Sequence, residues 1–158
     1  MSNKPPAARK GKVSGWAKIA VIAARYNQQI VDELLHGCMR RLAELGIDSS
    51  KIQIHRVPGA FELPLAAKLA GQTGKFAAVI CLGAVIRGDT PHFDFVAGEA
   101  ARGIQQVAIE LGLPVIFGVL TTNTEEQARQ RLDAGQRAAE AAVEMLALKN
   151  SFRENKRK

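Results

Sequence analysis

The residues best suited to chemistry lie in one run, Gly83-Ala-Val-Ile-Arg-Gly-Asp-Thr-Pro-His-Phe-Asp-Phe-Val96. An apolar strand, Ala77 to Leu82, is expected to stop where this run begins, and an amphipathic segment, Val96 to Leu111, follows it. Between them Gly88 permits close backbone approach, and the N–H groups of Asp89 and Thr90 sit near a helix start. Unpaired amides at the positive end of a helix favour an anion, phosphate above all. His92 adds the side-chain type whose ordinary titration range suits proton transfer near neutrality. A phosphate cradle beside a proton shuttle is the chemistry these types imply. A Gly-rich turn from strand to helix is common, however, and by itself does not establish a ligand.

The elements that must carry this run are legible from periodicity. Ala17 to Ala24, Lys51 to Val57, Phe76 to Leu82 and Pro114 to Leu120 are short apolar strands. Helical patterns follow each of them: Gln28 to Leu45, closed by Gly46, then Phe61 to Leu69, Val96 to Leu111, and Thr124 to Leu148 at both of its ends. Strand alternating with helix predicts an α/β fold, a three-layer α/β/α sandwich around a four-stranded parallel sheet. Ligands of such sheets bind beyond the carboxyl ends of the strands. Those ends carry Arg25-Tyr26-Asn27, Pro58 to Glu62, the Gly83–His92 run, and Phe117 to Thr122, so the candidate residues converge on one edge.

Composition sets the outer limits. The 158 residues are 47% hydrophobic, enough for one domain with a real core. No apolar run reaches membrane-spanning length and no signal-peptide pattern opens the chain, so a cytoplasmic protein is expected. Cys38 and Cys81 lack metal-ligand spacing and read as reduced packing residues. The net charge of +7 is uneven: residues 1–18 and 149–158 together carry +9 and residues 19–148 carry −2. The expected division is a flexible tail at 1–16, an α/β domain at 17–149 and a basic tail at 150–158, with neither a nucleic-acid nor a membrane partner.

Aromatics are only 5% of the chain, yet Tyr26 and Phe61 both sit just past strand ends. Each fits a platform for a flat heteroaromatic ring and fits the rim of a core equally well. Glu62 at a helix start is explained by capping alone. His36 and His55 have no partner motif and read as surface or packing residues.

The wording of two blocks adds more. Gly83-Ala-Val-Ile-Arg-Gly-Asp-Thr-Pro-His-Phe-Asp94 and Val57-Pro-Gly-Ala-Phe-Glu-Leu-Pro64 resemble the two hallmark motifs of the 6,7-dimethyl-8-ribityllumazine synthase family. The resemblance runs from about Lys18 to Leu148. It implies a flavodoxin-like fold and a transferase of riboflavin biosynthesis. Such an enzyme condenses 5-amino-6-(D-ribitylamino)uracil with 3,4-dihydroxy-2-butanone 4-phosphate and releases phosphate, without cofactor or metal. It also implies His92 as the proton shuttle, with Tyr26, Ala60, Phe61, Glu62, Ala84, Val85, Ile86 and Phe117 around the pyrimidine and ribityl chain. Asp89, Thr90, Arg131 and Arg137 would hold phosphate, with Arg87 a structural neighbour. Arg131 is carried over because Thr121-Thr-Asn-Thr-Glu-Glu-Gln-Ala128 resembles the family's approach to its phosphate-binding Arg.

This chain departs from the family pattern at Leu132 to Ala138, which is several residues shorter. Arg137 stands there where the family usually has Lys, and any role of Glu140 is left open. Tyr26 replaces the usual Phe or Trp, keeping the ring face and adding a hydroxyl. The resemblance further implies a homopentamer with sites at subunit interfaces. The shortened segment favours free pentamers, or small assemblies of them, over a sixty-subunit shell. Two other readings share the fold: a non-catalytic riboflavin- or lumazine-binding or shell-forming protein, and an archaeal-type riboflavin synthase.

Overall fold

The computed structural model describes residues 6–7 and 17–156. The expected tail at 1–16 therefore lies outside the described residues, apart from positions 6 and 7. Four strands, β1 (Ile19–Ala24), β2 (Ile52–Val57), β3 (Ala78–Ile86) and β4 (Val115–Thr122), form one parallel sheet in the order β2-β1-β3-β4. Among the described residues five α-helices accompany them: α1 (Gln28–Glu44), α2 (Leu63–Gln72), α3 (His92–Leu111), α4 (Glu125–Arg129) and α5 (Ala134–Asn155).

The central strands show why the sheet is sandwiched. Side chains alternate across a strand with a period of two. Ile19, Val21 and Ala23 of β1 and Ile80 and Leu82 of β3 pack into one cluster, with Ile30, Leu34 and Cys38 of α1 and Ala139 and Val143 of α5. Ala20 and Ile22 of β1 and Val79 and Cys81 of β3 turn to the other face, against Leu63 and Ala67 of α2 and Ile104 and Val107 of α3. Both faces are thus apolar, and near-continuous apolar strands are the sequence signature of that arrangement. The expected three-layer α/β/α sandwich is the observed one.

Three boundaries differ from the periodicity reading, each for a local reason. Strand β3 does not stop at Leu82; pairing with β4 continues through Gly83–Val119, Ala84–Leu120, Val85–Thr121 and Ile86–Thr122. Gly83 is not a turn residue. It lies inside β3, where a Cβ would make only ordinary contacts, 3.4 Å from Leu63 Cδ1, 3.5 Å from Val119 Cγ1 and 3.6 Å from Ala60 Cβ. Helix α3 begins a full turn before Val96, at His92, directly after Pro91. At the carboxyl end, residues 150–155, expected as part of a basic tail, continue α5 as helix. Lys149 anchors this extension by donating to the Gly112 carbonyl at the end of α3, at 2.7 Å, and Arg153 in the last turn suits the helix dipole. Partial burial, and then Arg153, lower the pKa of Lys149.

Cys38 and Cys81 are both free and buried, one on each side of the sheet. Burial pushes each thiol up to about 12, which removes the thiolate that reactivity needs at neutral pH. A thiol reagent is expected to leave the native protein unmodified and to label both cysteines after unfolding in guanidinium. Rapid labelling of the native protein would contradict the packing assigned to them. His55 packs too, its ring edge-on to Phe76 with centroids 6.5 Å apart.

Candidate functional site

The sheet order sets β2, β1 and β3 side by side, so their carboxyl ends are neighbours. Beyond β1, the Arg25 N–H donates to the Val57 carbonyl at 2.8 Å and the Tyr26 N–H to the Pro58 carbonyl at 3.0 Å. These bonds carry the β1–β2 pairing past the last ladder residues. Tyr26 is held by its backbone while its side chain is 74% exposed. The next residue, Asn27, adopts the left-handed conformation at φ 55° and opens α1. Its Nδ2 donates to the Ala84 carbonyl of β3 at 2.8 Å. Asn tolerates this conformation better than most residues, and the side-chain bond secures it. Sequence reasoning passed over Asn27; its one signal was an Asn between a strand and a helix.

After β2, Gly59 leads into a 3₁₀ turn over Ala60–Glu62. Ala60 is buried and Phe61 is exposed beyond it. One Glu62 oxygen, Oε2, accepts the Gly59 N–H at 2.9 Å, so the carboxylate does cap the turn as expected. No other hydrogen bond engages the Glu62 carboxylate among the described residues, which leaves Oε1 available to a ligand. Ala84, Val85 and Ile86, expected in a loop, are instead the last residues of β3.

Arg87 to Pro91 connect β3 to α3, and Gly88, Asp89, Thr90 and His92 are all exposed. The Thr90 hydroxyl accepts the His92 N–H at a long 3.4 Å. The His92 side chain has no hydrogen-bond partner among the described residues and is free to meet a ligand. Asp94 is not its partner, because both Asp94 oxygens are taken by Arg87, at 3.0 and 3.2 Å. That pairing bears on Arg87 itself, which the sequence placed beside the phosphate site. Its charge is compensated by Asp94 on the spot.

The remaining candidates lie elsewhere. Phe117 is on β4, which has a strand on one side only among the described residues. Phe117 and Arg137 line a concavity of about 330 Å³ along that open edge, with Gly118, Leu120 and Ala134. Arg137 is ion-paired to Asp133 one turn before it. Arg131 follows α4, and its Nη1 donates to the Gln127 carbonyl at 2.8 Å. Among the described residues no carboxylate pairs with Arg131, so it keeps an uncompensated charge, unlike Arg87, Arg129 and Arg137. Glu140 belongs to the fold: it accepts from Arg41 Nε at 2.8 Å and ties α5 to α1.

The structure thus gathers Tyr26, Ala60, Phe61, Glu62, Ala84 to Ile86, Asp89, Thr90 and His92 at one edge of the sheet. It sets Phe117 and Arg137 along β4. No hydrogen bond or ion pair among the described residues joins the second group to the first. No helix among the described residues is long and apolar enough to cross a membrane.

The model of one protein family, described as 6,7-dimethyl-8-ribityllumazine synthase, matches residues 16–150, which takes in every element from β1 to most of α5. With both hallmark blocks seated at the carboxyl edge of the sheet, the chain belongs to the 6,7-dimethyl-8-ribityllumazine synthase family, a transferase family of riboflavin biosynthesis.

Proposed function

We propose that this protein condenses 5-amino-6-(D-ribitylamino)uracil with 3,4-dihydroxy-2-butanone 4-phosphate to give 6,7-dimethyl-8-ribityllumazine, phosphate and water. The observation that carries this reading is the His92 side chain, free of partners, one turn of chain from the Asp89 and Thr90 amides and on the same sheet edge as Tyr26, Phe61 and Glu62. The exposed faces of Tyr26 and Phe61 take the pyrimidine ring. The unengaged Glu62 oxygen and the amides near Ala60 and Phe61 take ribityl hydroxyls, since a carboxylate is the stronger kind of acceptor for them.

The nucleophile is the substrate's own 5-amino group, so the enzyme needs no Ser, Cys or Lys nucleophile, in keeping with two buried thiols. The amine adds to the ketone carbon and water leaves. Phosphate then departs by elimination, and the ring closes as the ribitylamino nitrogen adds to the remaining carbonyl and a second water leaves. His92 moves protons between these steps, while the Asp89 and Thr90 amides and a guanidinium hold the phosphate as charge develops on it. Holding two substrates in register supplies much of the acceleration.

We infer that no single subunit supplies all of these groups. In the proposed assembly Tyr26, Ala60, Phe61, Glu62 and His92 come from one subunit and Phe117, Arg131 and Arg137 from its neighbour. The concavity on the open β4 edge and the uncompensated Arg131 support that division. A head-to-tail contact that closes into a ring yields one such site per interface, and a pentamer is the proposed ring.

Mixing both substrates with purified protein and no added metal is expected to develop lumazine absorbance, with one phosphate released per product. Folded protein that gives neither signal would refute the synthase reading and leave flavin or lumazine binding without turnover.

A further inference from the structure

We propose that Arg87 is a positioning residue that fixes the shape of the loop at 88–91, and with it the placement of the Asp89 and Thr90 amides relative to His92. The proposal rests on the reading of that loop as the phosphate site.

One guanidinium closes the loop from both sides. The Arg87 backbone N–H donates to the Thr122 carbonyl at 2.9 Å, which fixes where the chain leaves β3. Its side chain then reaches past the loop to the first turn of α3. Nη2 and Nη1 meet Asp94 Oδ1 and Oδ2 at 3.0 and 3.2 Å, and the guanidinium carbon lies 4.3 Å from the centroid of the Phe93 ring. Nε donates to Asn123 Oδ1 at 3.1 Å, on the turn that leads into α4 and Arg131.

The loop supplies almost no side-chain bonding of its own. Its one internal contact of that kind is the 3.4 Å bond from the His92 N–H to Thr90, and Gly88 to His92 are exposed. A planar fork that binds a carboxylate with two parallel bonds and stacks on an aromatic face specifies direction as well as distance. Lys supplies the same charge without the fork, so Arg87→Lys separates geometry from electrostatics. Exposed ion pairs add little to folding stability. The variant is therefore expected to keep its fold and lose its alignment.

In Arg87→Lys the melting temperature is expected to stay near that of the wild type. The kcat is expected to fall by about tenfold or more, as small misplacements of reacting groups do. The KM for the phosphate substrate should rise several-fold while the KM for the pyrimidine stays unchanged. Hydrogen–deuterium exchange of the peptide covering residues 87–95, labelled for less than a second, should become faster. Combining Arg87→Lys with Asp94→Asn should add nothing to the larger single loss, because both changes open one clamp. Unchanged exchange in the folded variant would overturn the proposal, as would a parallel rise in both KM values with a lowered melting temperature. If the wild type makes no lumazine, the synthase reading fails, and the exchange comparison still decides the role of Arg87.

Discussion

Gly135→Ala is expected to be the most destabilising single-methyl change in this protein. A Cβ on Gly135 would lie 2.1 Å from the Leu34 carbonyl oxygen, 2.8 Å from its carbon and 2.9 Å from Leu34 Cα. All three are backbone atoms of α1, so no rotamer change relieves the clash and α1 and α5 must separate. Overpacking of this kind costs ~1–3 kcal/mol where side chains yield, and more where backbone must move. That is a large share of the ~5–15 kcal/mol that holds a domain together.

Gly37 makes the comparison sharp, because it lies on α1 near the same crossing. Its Cβ would meet Gln136 Cγ at 3.5 Å and the Gln136 nitrogen at 3.8 Å, ordinary contacts. Gly37→Ala should therefore be tolerated and gain about 0.5–1 kcal/mol from helix propensity. Urea unfolding would show the contrast as opposite shifts in midpoint. A wild-type midpoint for Gly135→Ala would mean that the two helices are not held at the distance observed.

The second large effect concerns catalysis. Arg131→Ala is expected to raise the KM for the phosphate substrate and to lower kcat, together by roughly ten- to a hundred-fold, the scale of one lost charged contact. His92→Ala should lower kcat with less effect on pyrimidine binding. Because the attacking amine belongs to the substrate, the loss should be partial. Mixing the two weakened variants tests the shared site directly. If His92 and Arg131 come from neighbouring subunits, mixed rings contain some sites with both residues intact, and activity rises above that of either parent. Kinetics of the phosphate substrate unchanged in Arg131→Ala would move the phosphate elsewhere. A stable, active monomer would remove the shared-site model altogether.

The fold was readable because both faces of β1 and β3 are covered, which writes near-continuous apolar runs into the sequence. What periodicity misjudged was the end of β3. A glycine usually signals a turn, but Gly83 lies within β3 and pairs with Val119 of β4, a residue distant in sequence. The two hallmark blocks were legible as words, and topology brings them to one edge of the sheet. The Arg87 clamp was not legible. Its partners Asp94 and Asn123 are ordinary polar residues until β3, α3 and the turn after β4 meet. Arg131 likewise looks like one of several charges on a solvated helix, and its lack of a carboxylate partner emerges only in three dimensions. Residues 150–155 read as a tail because their composition is polar, whereas Lys149 and the end of α3 continue the helix there.

The packing of α1 against α5 also imposes an order on synthesis. The two helices that cover one face of the sheet come from opposite ends of the described chain, whereas α2 and α3, which cover the other, are near neighbours in sequence. On the ribosome, the α2–α3 side can therefore close once β1 to β3 pair and α3 has emerged. The opposite side, with Val21, Ala23, Ile80 and Leu82, stays half-covered until residues 134–155 emerge. Nascent chains just short of that length display the apolar surface that chaperones recognise. Helix α5 thus completes the core on that face and carries Arg137 to the concavity along β4.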